Sequence, residues 1–406
     1  MGNPVPKVSI PRRQILIIGM LDSVHLARWL GQFVNEEIDF VIFASKKYRK
    51  LHPLTISLLN SNYVANYKLA YWPFFPFISG YLDFFSFELR GYFKLLPNRS
   101  KFVEKILKKR TFQYIHAFEI QGAGYLINKV NADLVSNLKI ILTNWGSDIY
   151  YFAQFPTHEK QIRSALAKAN YYSGECVRDY VLARKFGFVG EELPCIPNAG
   201  GFQLEPRDSN FLPPSFRSQI LIKGYGGIFG RADLPIAIIP KIAQLYPQIR
   251  FHIYSATDDT LNLLESIPEE FRPRISVSTI REKLSHGQML KEFAKSRIYI
   301  GCSVSDGIST SFIESLIYGA YPIQTNTSCA NEWVSKGVVA SIVGLDSNLL
   351  LVEILKALED NSLVDSASGN NYQVALKHLS NEIVQKQALK FYKPKDLFSD
   401  SSRIPL

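Results

Sequence analysis
The sequence predicts an α/β protein made of two Rossmann-like domains. Three observations lead there. The chain has 406 residues, too many for one compact core and about right for two. Short apolar runs alternate with stretches of helical spacing, first over the N-terminal half and again after residue 218. A polar, proline-bearing segment, FQLEPRDSNFLPPSFRS, separates the two series, as expected of a linker. The boundaries that follow are a first domain over 1–200, a linker over 201–218 and a second domain over 219–380. A C-terminal helix and tail over 381–406 is expected to pack back on the first domain.

ILIIG at 15–19 is a continuous apolar run of the kind found in parallel strands covered on both faces. DSVHLARWLGQF then places Val24, Leu26, Trp29, Leu30 and Phe33 at helical spacing, with Asp22 or Ser23 as its cap. IDFVIFAS reads as the next strand and completes a βαβ unit. FQYIHAF, LKIILTNW and NYYSGE continue the first series, which closes at ELPCIPNAGG, where Pro197, Gly200 and Gly201 punctuate the chain. The second series is more regular. It runs as strand ILIKGY, helix RADLPIAIIPKIAQLYP, strand RFHIYSA, helix around LNLLESI, strand ISVST, helix HGQMLKEFAKS, strand RIYIGCS and helix STSFIESLIYGA. YPIQTN and SIVGLD follow, then a helix at LLLVEILKALED and a last amphipathic segment, YQVALKHLSNEIVQKQALKFY.

Composition narrows the class. With 47% hydrophobic and 20% charged residues, the balance is that of a globular protein, which excludes disorder and fibrous repeats. Cys176, Cys195, Cys302 and Cys329 are far apart, with no C-x-x-C pair or histidine cluster. That spacing argues against zinc and against a disulfide framework, and predicts a reducing, cytoplasmic compartment. MGNPVPKVSIPRRQ runs straight into the first strand, so a cleavable leader is not expected. No stretch reaches the ~18 to 20 uninterrupted apolar residues a bilayer span needs. The net charge of +10 favours a polyanionic neighbour: nucleic acid, a phosphate-rich ligand or an anionic lipid surface.

The segment DGISTSFIE at 306–314 carries the sharpest chemistry. Asp306 precedes a glycine turn at Gly307, and the amides of Ile308, Ser309, Thr310 and Ser311 crowd the start of the following helix. Orphan N–H groups and the positive end of the helix dipole suit a diphosphate there. Glu314, further into the helix, is placed to accept hydrogen bonds from ribose hydroxyls, and Asp306 to face the sugar. A solvated helix face with two acids reads equally well on spacing alone. Lys223 and Arg231 flank a glycine-rich turn, KGYGGIFGR, between a strand and a helix, where two cations would neutralise a departing diphosphate. The turn lacks G-K-[ST] and is not a Walker loop.

At the N-terminal side, Gly19, Met20, Leu21, Asp22 and Ser23 form the turn after the first strand, with too few glycines for a dinucleotide fingerprint. His116, Asn144 and Asp148 fall at the ends of predicted strands, which border the ligand crevice in open α/β sheets. Glu119 and Gln121 are further candidates on that side. A satisfied structural histidine competes with a catalytic one at His116.

DGISTSFIE, followed by SLIYGAYPIQT, resembles the E-x(7)-E signature of the family-4 retaining glycosyltransferases. IPNAGG at 196–201 resembles the I-P-N-G-V turn that closes that family's first domain, and FAKSRIYIGCSVSDG resembles its A-x-x-A-D-V-F-V-x-P-S-x-x-E-G run. The resemblance implies GT-B architecture, two facing Rossmann-like domains with a cleft between them. It also implies metal-independent retaining transfer from a UDP- or GDP-linked sugar, with no further cofactor. It places Asp306, Glu314, Lys223, Arg231 and His116 in catalytic positions and Gly19, Gly307, Ile308, Ser309, Thr310 and Ser311 on the donor. Asp22, Glu119, Asn144 and Asp148 fall on the acceptor side. This chain departs from the family in several respects: Asp306 stands for a glutamate, the Lys223 and Arg231 pair is inverted across a lengthened loop, Phe118 and Trp145 replace histidines, and Gly19 alone remains of the N-terminal glycine-rich loop.

The stretch YWPFFPFISGYLDFFSFELRGYFKLLPNRSKFVEKILKKR is dense in aromatics and ends in Lys101, Lys105, Lys108, Lys109 and Arg110. Aromatic wedges beside cations suit a bilayer interface or a lipid-linked acceptor; a buried aromatic subcore with a solvated basic helix is the competing reading. No nucleic-acid module accompanies the patch. The expectation is therefore a cytoplasmic transferase, peripheral on the inner face of the membrane through residues 71–110, that builds bacterial surface polysaccharide or a lipid-linked glycan. A nucleotide-sugar 2-epimerase of similar fold and a non-catalytic membrane-associated scaffold are the alternatives, with a basic RNA-binding protein behind them.

Overall fold
The computed structural model describes residues 12–46, 48, 50–70, 99–204, 207 and 211–392. The chain divides into two compact units, Met1–Gly174 with Asp179–Gly200 and Gln385–Leu406, and Glu175–Arg178 with Gly201–Val384. The expected fold class is borne out: each unit is built on one all-parallel sheet with helices in the crossovers, as βαβ units require.

The first sheet has seven strands: β1 (Arg13–Gly19), β2 (Ile38–Ala44), β3 (Asn66–Leu69), β4 (Tyr114–Phe118), β5 (Lys139–Thr143), β6 (Tyr171–Ser173) and β7 (Glu191–Glu192), in the order β3-β2-β1-β4-β5-β6-β7. The apolar run read as a doubly covered strand is that: Ile15 to Ile18 are all wholly buried. Leu16 and Ile18 join a core with Val41, Phe43, Ile115 and Leu142 under the helix Pro156–Lys168. The aromatics Trp29, Phe33, Phe40, Phe118, Phe391 and Tyr392 form a second cluster of this unit, with ring centroids 4.7–5.8 Å apart. Ser23 caps the helix Val24–Gly31 by accepting from the His25 amide at 3.1 Å. β3, with every second side chain exposed, was not legible as a strand because four residues carry too little pattern.

The second sheet has six strands: β8 (Gln219–Lys223), β9 (Arg250–Ala256), β10 (Ile275–Thr279), β11 (Ser296–Gly301), β12 (Tyr321–Thr325) and β13 (Ser341–Val343), in the order β10-β9-β8-β11-β12-β13. Its order reverses between β8 and β11, the place where open α/β sheets bind ligands. The helix expected from Tyr372 begins at Asn361 and runs to Leu379. Its polar first half hid it, yet Asn371 there is buried and bonds both the amide and the carbonyl of Val339, at 2.7 and 2.8 Å.

One expectation is corrected. Cys176 and Cys329 form a disulfide across 153 residues of sequence, a pairing that linear spacing cannot reveal. Cys195 and Cys302 stand outside that disulfide, and burial pushes the Cys302 thiol up to about 12. Among the described residues no helix is long and apolar enough to cross a membrane.

Candidate functional site
The second unit gathers the residues of the DGISTSFIE segment and the glycine-rich turn at its strand-order reversal. Lys223 is the last residue of β8, and Asp306 follows β11, its neighbour in the sheet. Lys223 Nζ lies 3.4 Å from Asp306 Oδ2 and 3.4 Å from Ser309 Oγ. Burial works against the ammonium, but the Asp306 carboxylate, with Tyr299 and Tyr225, outweighs it and raises the Lys223 pKa above the ordinary lysine value. Lys223 is therefore held as an ammonium, paired with the Asp306 carboxylate.

Ser309 is the N-cap of the helix Thr310–Tyr318, but its side chain makes no capping bond and faces Lys223 instead. The first-turn amides of Thr310, Ser311 and Phe312 thus keep their anion-binding capacity. Asp306 turns the chain into that helix, its Oδ1 accepting from the Gly307 amide at 2.9 Å. Ile308 is buried and anchors the turn in the core with Phe312 and Leu316. Lysine, helix terminus and turn together bring an ammonium and unspent backbone N–H donors to one place.

The Glu175–Arg178 segment is stapled to the same turn. Arg178 donates to the carbonyls of Asp306 and Thr327, at 3.0 and 3.2 Å. Glu332 accepts from the amides of Val177 and Arg178, at 2.8 and 2.9 Å, and the Cys329 amide donates to Gly307 O at 3.0 Å. Cys176, Cys329 and Glu332 are also close enough to one another to be considered as metal ligands. The sulfurs are spent on each other and the carboxylate on backbone amides, which leaves little for an ion.

Arg231 lies at the end of the glycine-rich turn but forms a two-pronged pair with Asp233, at 2.8 Å on each prong. The structure does not bring its guanidinium to Lys223 or Asp306, so the expected cation pair is represented here by Lys223. The turn is sterically committed. Gly227 has φ +73°, and a Cβ on Gly230 would run into the Tyr225 carbonyl. Glu314 accepts from His286 Nε2 at 2.9 Å. Neither His286 nor Arg178 was picked out from sequence. His286 had a local signal, the S-x-x-Q capping box of Ser285 and Gln288 that sets its helix start.

In the first unit, Glu119, Asp148 and Lys46 form a second cluster beside the β1/β4 reversal of strand order. Glu119 Oε2 lies 3.1 Å from Lys46 Nζ. Its carboxylate also accepts from the amides of Gly122 and Ala123, at 2.7 and 2.8 Å, which shapes the π-helical turn Ile120–Gly124. Glu119 sits at φ +124°, a strained value for a residue with a side chain. Asp148 accepts from the amides of Ile120 and Trp145, at 2.8 and 3.0 Å, and burial together with Glu119 pushes it up to about 7. Gln121 donates to Asp148 O at 2.8 Å. Asn144 is fully buried and donates to Asp179 at 2.8 Å. Asp22 is exposed in the turn after β1, while Gly19 packs against Leu26 and Phe118, where a Cβ would sit 3.0–3.2 Å from side-chain carbons.

His116 is wholly buried, 2.7 Å from Tyr392 Oη and 2.6 Å from Thr143 Oγ1. Tyr392 Oη also accepts from Trp29 Nε1 at 3.2 Å. The tyrosine hydrogen therefore goes to His116 Nδ1, and His116 Nε2–H donates to Thr143. Burial drives its pKa down to about 3. A neutral ring with both nitrogens engaged in the core is not offered to a ligand. Residues 71–98 of the aromatic stretch lie outside the described residues; Lys101, Lys105, Lys108, Lys109 and Arg110 are exposed, with Lys101 paired to Glu104.

Two open parallel sheets, the second with Lys223 and an uncapped helix start at its point of reversal, define a two-unit, doubly wound α/β class of protein. Residues 78–176 match the family described as Glycosyl transferase 4-like. The fold is that of HepE from Anabaena, solved with UDP-glucose, at 13% identity and TM-score 0.64 over 93% of this chain and 98% of that one. It is also that of sucrose-phosphate synthase from Thermosynechococcus elongatus, at 13% identity and TM-score 0.65 over 96% and 100%. A glycosyltransferase from Rickettsia africae ESF-5 gives 14% identity and TM-score 0.61 over 97% and 100%. No curated protein sequence matches closely enough to count as a relative. The resemblance and the GT-B fold class are borne out, and together they support a glycosyltransferase.

Proposed function
We propose that the protein is a retaining glycosyltransferase that moves a sugar from a nucleotide sugar, UDP- or GDP-linked, to an acceptor hydroxyl. The observation that carries this reading is the Lys223 ammonium beside Asp306 and Ser309 at an uncapped helix N-terminus. Such a receptor stabilises a diphosphate most when the glycosidic bond breaks and its charge grows, which is where differential binding accelerates a reaction. The acceptor oxygen bonds to the anomeric carbon on the face the diphosphate leaves, and a phosphate oxygen takes the hydroxyl proton. Neither a metal nor a dedicated protein base is part of this scheme. Asp306 orients the sugar and Glu314 the ribose. The acceptor belongs to the first unit, around Asp22, Glu119 and Asp148.

The exposed cations of the Arg99–Lys109 helix and Arg110 favour a lipid-linked or otherwise anionic acceptor at a membrane surface, consistent with assembly of a bacterial surface polysaccharide. The test is calorimetry and thermal shift with UDP, GDP, ADP, CMP and their sugars. One nucleoside diphosphate stabilises the wild type and loses its effect in Lys223→Ala and Glu314→Ala. Absence of binding at millimolar ligand would refute the transferase reading and favour a scaffold.

A further inference from the structure
Glu314 has a nearly buried side chain, 6% exposed, and a carboxylate so placed needs donors on both oxygens. Among the described residues it has one on Oε1 alone, from His286 Nε2 at 2.9 Å. His286 reaches it from the neighbouring helix His286–Lys295, and its own side chain is 66% exposed. The start of that helix is held by a reciprocal capping box, with Ser285 N donating to Gln288 Oε1 at 2.9 Å and Gln288 N donating to Ser285 Oγ at 3.3 Å. The imidazole is thus presented from a fixed backbone.

From this arrangement we infer that His286 is a positioning residue for ribose recognition: it occupies Oε1, fixes the rotamer of Glu314 and leaves Oε2 to accept from the vicinal hydroxyls of a ribonucleotide. The inference rests on the nucleotide-sugar reading of the same site. Its geometry fits that ligand. Glu314 lies four residues beyond Thr310, about 6 Å along the helix axis, the separation a nucleoside diphosphate spans between its phosphates and its ribose hydroxyls. A vicinal diol offers two O–H donors to an acceptor-only group. A site built to hydrogen-bond a hydroxyl rejects the analogue that lacks it, because the buried acceptor is then left unpaired.

The experiment compares binding of the ribonucleoside diphosphate preferred by the wild type, UDP or GDP, with its 2′-deoxy form, by calorimetry on the full chain. The wild type favours the ribose form by roughly tenfold or more. His286→Ala brings the ratio to within about threefold while inorganic pyrophosphate binds unchanged, and His286→Gln, whose amide donates from a similar place, restores most of the ratio. The pyrophosphate arm and an unchanged melting temperature separate ribose recognition from a general loss of structure. Equal ratios in wild type and His286→Ala would overturn the inference while leaving the nucleotide site standing, and so would a wild type that does not distinguish the two sugars. Failure of every nucleoside diphosphate to bind the wild type would overturn the inference together with the reading beneath it.

Discussion

His116 makes the first unit acid-sensitive in a way that can be worked out beforehand. Its folded pKa is driven to about 3 by burial, against roughly 6.5 in the unfolded chain. Between those values the unfolded state binds the extra proton, so stability is complete above about 6.5 and is lost as pH falls through the window. At pH 5 the penalty is about 2 kcal/mol, and at pH 7 it is a few tenths. Asp148 runs the other way. Its folded pKa is raised to about 7, so its contribution declines as pH rises from about 4 to 7, and the wild-type curve alone mixes the two. The clean measurement is urea unfolding of wild type and His116→Gln at pH 5.0, 6.0 and 7.0, followed by tryptophan fluorescence. Glutamine offers hydrogen-bonding groups to Thr143 and Tyr392 but does not titrate, so the variant gains about 2 kcal/mol on the wild type between pH 7 and pH 5. A stability difference that stays flat across this range would refute the buried, neutral assignment of His116.

Three further outcomes are expected. Lys223→Ala weakens binding of the preferred nucleoside diphosphate by roughly 10- to 100-fold, the worth of a charged hydrogen bond. Arg231→Ala, whose guanidinium is engaged by Asp233, changes it by less than about threefold; equal effects in calorimetry would contradict the separation of the two cations. Reducing the Cys176–Cys329 disulfide, or Cys176→Ser, lowers stability by at most about 5 kcal/mol, the loop-closure ceiling for a span of this length. It also loosens the Asp306–Gly307 turn, read as a lower melting temperature and a weaker diphosphate affinity under dithiothreitol; identical melts with and without reductant speak against the bond. Asp148→Asn raises stability at pH 8 by about 2 to 3 kcal/mol relative to pH 5, because the amide accepts from Ile120 and Trp145 without carrying a charge into the core. Urea midpoints at the two pH values check it.

The legibility of the site follows the range of the interactions that make it. The turn and helix of residues 306–314 were readable because a capping pattern, a glycine and the apolar periodicity of Phe312, Ile313 and Leu316 act within a few residues. Lys223 was readable as a strand-end cation next to glycines. Its partner Asp306 lies 83 residues away, and only the adjacency of β8 and β11 brings the two together. Arg231 looked like the equal of Lys223 because nothing local distinguishes two cations flanking one turn; Asp233, two residues on, decided its orientation. His116 carried a strand-end position that bordered a crevice in principle. What placed it in the core was Tyr392, 276 residues further along the chain.

The amino-acid sequence by itself determined the two parallel sheets, their strand and helix alternation, and the glycine turn that opens the helix after Asp306. Those features depend on backbone geometry and on hydrophobic period, both of which act over one or two elements. Tertiary structure alone decided which polar groups face one another: His286 with Glu314, Glu119 with Lys46 and Asp148, Arg178 with the Asp306 carbonyl, and Cys176 with Cys329. The physical reason is that a buried or half-buried polar group is satisfied by whatever partner the fold delivers to it, and strand order, not linear distance, sets that delivery.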